Sequence, residues 1–385
     1  MSVIISTIEL WGEKPGMNSG YLPEDIIKDK RLIPVWDKVK SSIAVSEDDL
    51  RMMLSTDDVM GLGAIAGYVR KKINGGKGFY GVNMNLNYTN ICELRCPLCA
   101  FSCDSGDPQA YIYSLDEIES RVRADVENGI DEVHIVGGLH PDLKLDYFEE
   151  MLRRIKKIKS DIFIVAFTAV EYDYFAKINN ISIEEVFRRL IDSGLGALPG
   201  GGAEIFAEEK RSVIAPKKIS GKRWLEIMKI AHSFGLKTNA TLLYNHIEDM
   251  DDIIHHLSEL RSVQDETGGF KTFVPLSYHD ENTGIKAKKK SSTGFDDIRL
   301  YASARIYLHN IPHIKALWMY IGEKMAQVLL NFGVDDIGAT YNYEKVVHSA
   351  GAATADFGSE LFLRRLIESA GFEPERVTAE YEVKK

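Results

Sequence analysis

Eight short apolar or β-rich runs, separated by stretches of helical periodicity, constrain the fold of this chain more than any other feature. They are Tyr80–Leu86, Glu132–Val136, Ile162–Phe167, Gly194–Leu198, Lys237–Leu243, Lys271–Leu276, Ile314–Met319 and Val334–Ile337. Strands that alternate with helices build parallel sheets, because each parallel neighbour requires a crossover connection. The pattern predicts an α/β fold, a (β/α)8 barrel of the TIM type. The alternative is a partial barrel of six units with the last two segments forming an appended lobe.

The helices between the runs carry their own punctuation. Ser114-Leu-Asp-Glu117 and Ser182-Ile-Glu-Glu185 read as capping boxes, and Gly129, Gly194 and Gly235 as helix stops. Leu145, Phe148, Leu152, Ile155 and Ile158 recur at helical spacing, as do Trp224, Ile227, Ala231 and Phe234. Further helices are expected near Met250–Glu266 and Gly294–His309. Upstream, Leu50, Met53, Leu54, Leu62, Ile65, Ala66 and Val69 predict helices that end at Gly75-Gly76. The expected organisation is a mostly helical extension over 1–75, a barrel over 76–345 and a helical segment over 346–385 that closes it.

The cysteines are more specific. The chain has 4 Cys in 385 residues, and three of them, Cys92, Cys96 and Cys99, form C-x3-C-x2-C after the first strand. Three thiolates this close can hold three irons of a [4Fe-4S] cluster and leave the fourth open to a ligand, whereas electron-transfer clusters and structural zinc sites are closed by four protein ligands. Cys103 is either a fourth ligand or a buried neighbour, and on the first option the chain is an electron-transfer or metal-binding module.

In parallel barrels, chemistry collects at the carboxyl ends of the strands, and the remaining polar motifs fall there. Gly137-Gly138-Leu-His140 follows the second strand, Thr168-Ala-Val-Glu171 the third and Gly200-Gly-Gly202-Ala-Glu204 the fourth. Asn239 and His246 lie along and past the fifth, and His279 past the sixth. No Walker motif, nucleophile elbow, zincin helix or dinucleotide fingerprint is present. The net charge of -10 and the lack of a basic stripe argue against a nucleic-acid partner. No run approaches a membrane span. The N-terminus, Met1-Ser-Val-Ile-Ile-Ser6, lacks a basic region, and with clustered thiols it points to the cytoplasm. The short run Lys286-Ala-Lys-Lys-Lys290 reads as a solvated loop or an electrostatic aid near an acidic substrate rather than an anchor.

The combination of C-x3-C-x2-C, Gly137-Gly138 and a βα barrel resembles the radical S-adenosylmethionine enzymes. The segments Gly137-Gly-Leu-His-Pro-Asp142, Ala166-Phe-Thr-Ala-Val-Glu171, Leu198-Pro-Gly-Gly-Gly-Ala-Glu204 and Asn310-Ile-Pro-His-Ile-Lys315 are similar, within them, to the aminofutalosine synthases of menaquinone biosynthesis. The sister cyclase family, acting on dehypoxanthine futalosine, is the nearest alternative. Departures from the pattern include Leu98 before the third cysteine, Phe101-Ser-Cys-Asp104 after it and His309.

The resemblance implies that Cys92, Cys96 and Cys99 hold a [4Fe-4S] cluster whose open iron binds S-adenosylmethionine, consumed as a co-substrate. The 5′-deoxyadenosyl radical then adds to 3-[(1-carboxyvinyl)oxy]benzoate, and rearrangement and decarboxylation give 6-amino-6-deoxyfutalosine. Gly137, Gly138, Glu171, Glu204 and Asn239 are the expected contacts to S-adenosylmethionine. Asn85, Arg211, His246, His313 and Lys315 are the expected contacts to the substrate. An electron donor such as flavodoxin or ferredoxin is implied, and a homodimer is left open.

Overall fold

The computed structural model describes residues 23–288 and 293–384. The N-terminal Met1–Ser6 stretch and the end of the lysine run, Lys289 and Lys290, lie outside the described residues.

The strands are β1 (Lys77–Gly81), β2 (Asn83–Leu86), β3 (Glu132–Ile135), β4 (Phe163–Ala166), β5 (Ala197–Leu198), β6 (Lys237–Tyr244), β7 (Phe270–Ser277), β8 (His313–Ile314), β9 (Asp336–Ala339) and β10 (Glu373–Arg376). Strands β2 to β8 form one seven-stranded sheet in sequence order, and every pair in it is parallel. Helices fill the crossovers, so the sheet curls into a barrel.

Two details differ from the expectation. The first run is split: β1 leaves the barrel and pairs with β9 and β10 in a separate three-stranded sheet. The eighth run contributes no regular barrel strand. The segment 336–342 instead spans the gap between the edge strands, with single bridges Lys315↔Asp336 on one side and Met84↔Asn342 on the other. The C-terminal segment adds β10 to its helices Val346–Ser349 and Glu360–Ser369.

Local chemistry explains the helices. Ser114 and Glu117 form the reciprocal capping box that opens the Leu115–Glu127 helix. Ser182 caps the Ile183–Asp192 helix through the Glu185 N–H. Thr168 and Glu171, read above as a strand-end motif, are also a capping box and open a further helix, Ala169–Asn179. Upstream, the Val59–Asn74 helix packs against the Gly294–Tyr307 helix of the barrel. The extension thereby shares one continuous core with the barrel, including Leu62, Ile65, Leu300 and Ile337.

One buried ion pair pins the last barrel strand. Asp335 accepts from the Ile314 N–H at 2.8 Å, approaches His313 Nδ1 at 2.6 Å and Arg305 Nη1 at 3.6 Å, and its side chain is fully buried. Removing one partner of a buried pair leaves an uncompensated charge. Asp335→Ala is therefore expected to lower stability by about 3–5 kcal/mol, read as a drop in the urea midpoint.

Candidate active site

A cavity of about 370 Å³ runs through the barrel, a size ordinary for small-molecule sites. Its walls follow the strand period of two. Asn83, Asn85 and Asn87, then Glu132, His134 and Val136, then Asn239, Thr241 and Leu243 all point inward. At the carboxyl end of the strands its wall is the cysteine loop.

Cys92, Cys96 and Cys99 all line this cavity. Cys103 does not. Its backbone instead closes the loop from behind: Cys103 N–H donates to the Asn90 carbonyl at 2.9 Å, and Cys92 N–H donates to the Cys103 carbonyl at 3.2 Å. Arg95, in the left-handed region at φ 46°, donates to the Ser102 carbonyl and holds the loop across its width. Among the described residues, no three His, Cys, Asp or Glu converge as a site for a single metal ion. Three thiols on one wall without a common centre suit a four-iron cluster, where each thiolate binds a different iron. Burial pushes the Cys96 thiol up to about 11, opposed by Lys218, so ligation must displace its proton.

The glycines serve the loop as much as any ligand. A Cβ on Gly138 would lie 2.1 Å from the Ile91 carbonyl oxygen, and one on Gly137 would strike the Tyr88 ring at 2.6 Å. Gly138 N–H donates to the Thr89 carbonyl at 2.9 Å. The second strand's loop therefore lies directly against the cysteine loop, which only glycine permits. Glu171 locks this arrangement. It accepts from the Tyr88 hydroxyl at 2.8 Å, from Gly137 N–H at 3.2 Å and from Thr168 N–H at 2.7 Å. Burial raises its pKa to about 7 against these donors. Both oxygens are occupied, so its work in this structure is to join three strand ends, although it also lines the cavity.

Glu204 lies in the left-handed region at φ 49° and accepts from Lys218 Nζ at 2.5 Å, and both line the cavity. Burial opposes its ionisation, but Lys218, Arg211 and His246 outweigh that and hold Glu204 below the usual carboxylate range. Asn85 and Asn239 line the cavity with buried side-chain carbonyls that have no hydrogen-bond partner among the described residues. Buried polar atoms are normally paired, so such orphans facing a cavity are sockets for a ligand. Asn85 also donates from Nδ2 to Glu344 at 2.6 Å. Lys315 lines the cavity with its ammonium 3.0 Å from Asp336.

Three expected substrate contacts are not brought to the cavity. Arg211 is buried beneath the glycine loop and spends its guanidinium on the carbonyls of Gly202 at 2.8 Å, Ala203 at 2.5 Å, Ile205 at 3.2 Å and Ile219 at 2.7 Å. It shapes the loop rather than facing a ligand. His246 folds onto its own turn, with Nε2 3.0 Å from the Leu243 carbonyl and Nδ1 accepting from Ile247 N–H at 2.6 Å. His313 sits at the start of β8, paired to Asp335 and stacked on Tyr381 with ring centres 3.4 Å apart. Of the strand-end histidines, His279 lines the cavity, whereas His140 turns back to accept from Asp142 N–H at 3.1 Å. His348 packs on its own helix, 2.8 Å from the Glu344 carbonyl.

Residues missed from the sequence include Lys218, His134, Lys271, Tyr320 and Glu344, all of which line the cavity. Inward alternation along β3 would have found His134 (two residues from Glu132 and from Val136). Lys218 and Glu344 sit in loops, where no periodicity marks them.

A curled parallel barrel with three thiols at the carboxyl end of its first strand, backed by a Gly-Gly loop, defines an enzyme of the cluster-bearing, S-adenosylmethionine-cleaving type. Family descriptions agree: the Radical SAM superfamily matches residues 86–260, and the CofH/MqnC C-terminal region matches residues 267–385. The chain belongs to the radical S-adenosylmethionine superfamily, whose members use a [4Fe-4S] cluster and S-adenosylmethionine.

It is 38% identical to the aminodeoxyfutalosine synthase of Thermus thermophilus, over 90% of this chain and 94% of that protein. It is 36% identical to the 5-amino-6-(D-ribitylamino)uracil–L-tyrosine 4-hydroxyphenyl transferase of Archaeoglobus fulgidus, over 87% and 98%. It is also 36% identical to the cyclic dehypoxanthine futalosine synthase of Streptomyces coelicolor, over 91% and 88%. The fold superposes on that of a methylornithine synthase with a TM-score of 0.71 at 17% identity, covering 89% of this chain and 97% of that one. No helix among the described residues is long and apolar enough to cross a membrane.

Five single substitutions test this arrangement. Cys103→Ala is expected to take up iron and sulfide anaerobically to the wild-type content, whereas Ala at Cys92, Cys96 or Cys99 loses the cluster, as metal analysis and visible absorbance will show. Arg211→Met strips donors from four carbonyls and is expected to cost about 2–4 kcal/mol, with weakened S-adenosylmethionine binding, read by denaturation and calorimetry.

Proposed function

We propose that this chain joins the 5′-deoxyadenosyl group of S-adenosylmethionine to 3-[(1-carboxyvinyl)oxy]benzoate. The products are 6-amino-6-deoxyfutalosine, methionine and the enolpyruvyl carboxylate, released as CO2 or bicarbonate. The reading is carried by one continuous cavity that joins the three thiols to a polar floor, in a chain similar over nine-tenths of its length to an aminodeoxyfutalosine synthase.

Cys92, Cys96 and Cys99 would hold the cluster. When bound, it supplies the electron that opens the sulfonium, delivered from an external donor such as flavodoxin or ferredoxin. The protein's own part is binding, orientation and exclusion of water. Gly137 and Gly138 bring backbone to the wall beside the thiols, and the Asn85 and Asn239 carbonyls offer acceptors to amino or hydroxyl groups. Leu94, Leu98, Leu139 and Val170 line the same chamber and keep it apolar around the reacting carbon.

The test is an anaerobic reduced reaction followed by mass spectrometry. Equal amounts of methionine and an adenosylated, decarboxylated product are expected. Formation of 5′-deoxyadenosine from S-adenosylmethionine when dehypoxanthine futalosine is supplied, without an adduct from the enolpyruvyl benzoate, would move the assignment to the cyclase. Consumption of L-tyrosine with the ribitylaminouracil would move it to the transferase.

A further inference from the structure

The floor of the cavity, at the amino ends of the strands, carries a cation that the reading above leaves unused. Lys271 is the second residue of β7, and its side chain lines the cavity although the residue is only 7% exposed. Its ammonium has no hydrogen-bond partner among the described residues. The Phe163 ring lies 5.8 Å away. An ammonium buried without an acceptor is expensive, and a protein retains one where a ligand completes it.

The groups around it do not complete it. Lys315, just past β8, is engaged at 3.0 Å with Asp336 on β9, and Asp336 also accepts from the Tyr381 hydroxyl at 2.7 Å and Gly338 N–H at 2.6 Å. Glu132 on β3 and Glu380 in the C-terminal segment act on Lys271 only through space. Glu132 accepts from the Ala379 backbone, and burial raises its pKa. Burial brings Lys271 itself down to about 8, and burial with the two lysines keeps His134 neutral, near 4.

Orientation selects the ligand. Lys271 and Ser277 line the same cavity from the two ends of β7. Six steps along the strand separate them, about 20 Å. The enolpyruvyl double bond must reach C5′ of the nucleoside at the thiol end. The ring carboxylate of the substrate is its other end, and so comes to the floor.

We propose that Lys271 binds the aryl carboxylate of the substrate, so that recognition of a benzoate is built into the barrel floor, remote from the reacting carbon. This rests on the reaction proposed above.

The test uses the reconstituted holoenzyme, the enolpyruvyl benzoate and its analogue lacking the ring carboxylate. Lys271→Met is expected to raise KM for the benzoate by about 30- to 100-fold, the scale of one charged hydrogen bond, with kcat and S-adenosylmethionine affinity little changed. The analogue should cost the wild type a similar factor and cost Lys271→Met nothing further. Lys271→Arg should recover part of the loss. Because Met removes an unpaired buried charge, its thermal midpoint should rise by a few degrees. Glu132→Gln, which removes the carboxylate that acts most strongly on Lys271 through space, should lower KM.

A wild-type enzyme that fails to adenosylate the enolpyruvyl benzoate overturns the reaction and this assignment with it. Adenosylation with an unchanged KM in Lys271→Met overturns the assignment alone. So does a drop in thermal midpoint for both Lys271→Met and Glu132→Gln at constant KM, the signature of a structural ion pair.

Discussion

A parallel sheet of seven strands has two free edges, here β2 and β8, and a free edge is a ladder of unpaired backbone groups. The whole chamber depends on how that gap is filled. Segment 336–342 does it with few contacts: Ala316 N–H donates to the Asp336 carbonyl at 2.8 Å, and Asn85 N–H donates to the Asn342 carbonyl at 2.8 Å. These residues act as an irregular eighth stave. The same segment then supplies Asp336, Ala339 and Tyr341 to the cavity lining, and Glu344 follows it there. Closing the barrel and furnishing its interior are one structural act. Irregular backbone is tolerable there because the C-terminal segment covers it, with β10 held to β1 and Val377–Ala379 reaching the cavity floor.

A chamber closed in this way has two chemically distinct ends. At the carboxyl end, three thiols, two glycine loops and the Lys218–Glu204 pair crowd together. At the amino end stand Glu132, His134, Lys271 and Lys315. Between them the walls carry the asparagine carbonyls of Asn85 and Asn239. In barrels of this class chemistry is read from the carboxyl end, and a packed barrel interior usually fills with branched apolar side chains. Polar and charged residues along the interior therefore mark space intended for a ligand that runs the length of the strands.

Much of this was legible in the sequence, and the limits of legibility are physical. Strand–helix alternation gave the barrel because the hydrophobic period changes from 2 to 3.6 at each boundary. The thiols were legible because three cysteines within eight residues of a chain with so few others is a pattern with little structural use. The eighth run misled because β-rich composition reports that a segment is buried and extended, not which sheet it joins. Lys271 was passed over for a related reason. A lysine at the start of a strand ordinarily marks a solvated end, and nothing local announces that a register shift against β6 between Thr238 and Asn239 carries this end into the interior.

Arg211 and Glu171 show how charge at a strand end divides between ligand and frame. Both are buried at the carboxyl face, and both have the residue type expected to meet a substrate. Yet the Arg211 fork is consumed by carbonyls of the glycine loop and the turn beyond it, and the Glu171 carboxylate by donors from the β2, β3 and β4 loops. Loops that must present backbone to a ligand cannot also satisfy their own buried groups, so a charged side chain behind them does so. Its conformational freedom is spent before any ligand arrives. By the same logic, the residues left for recognition are those whose polar atoms remain orphaned toward the cavity. That criterion, rather than charge or position along the strand, separates Asn85, Asn87, Asn239 and Lys271 from the residues that only hold the walls in place.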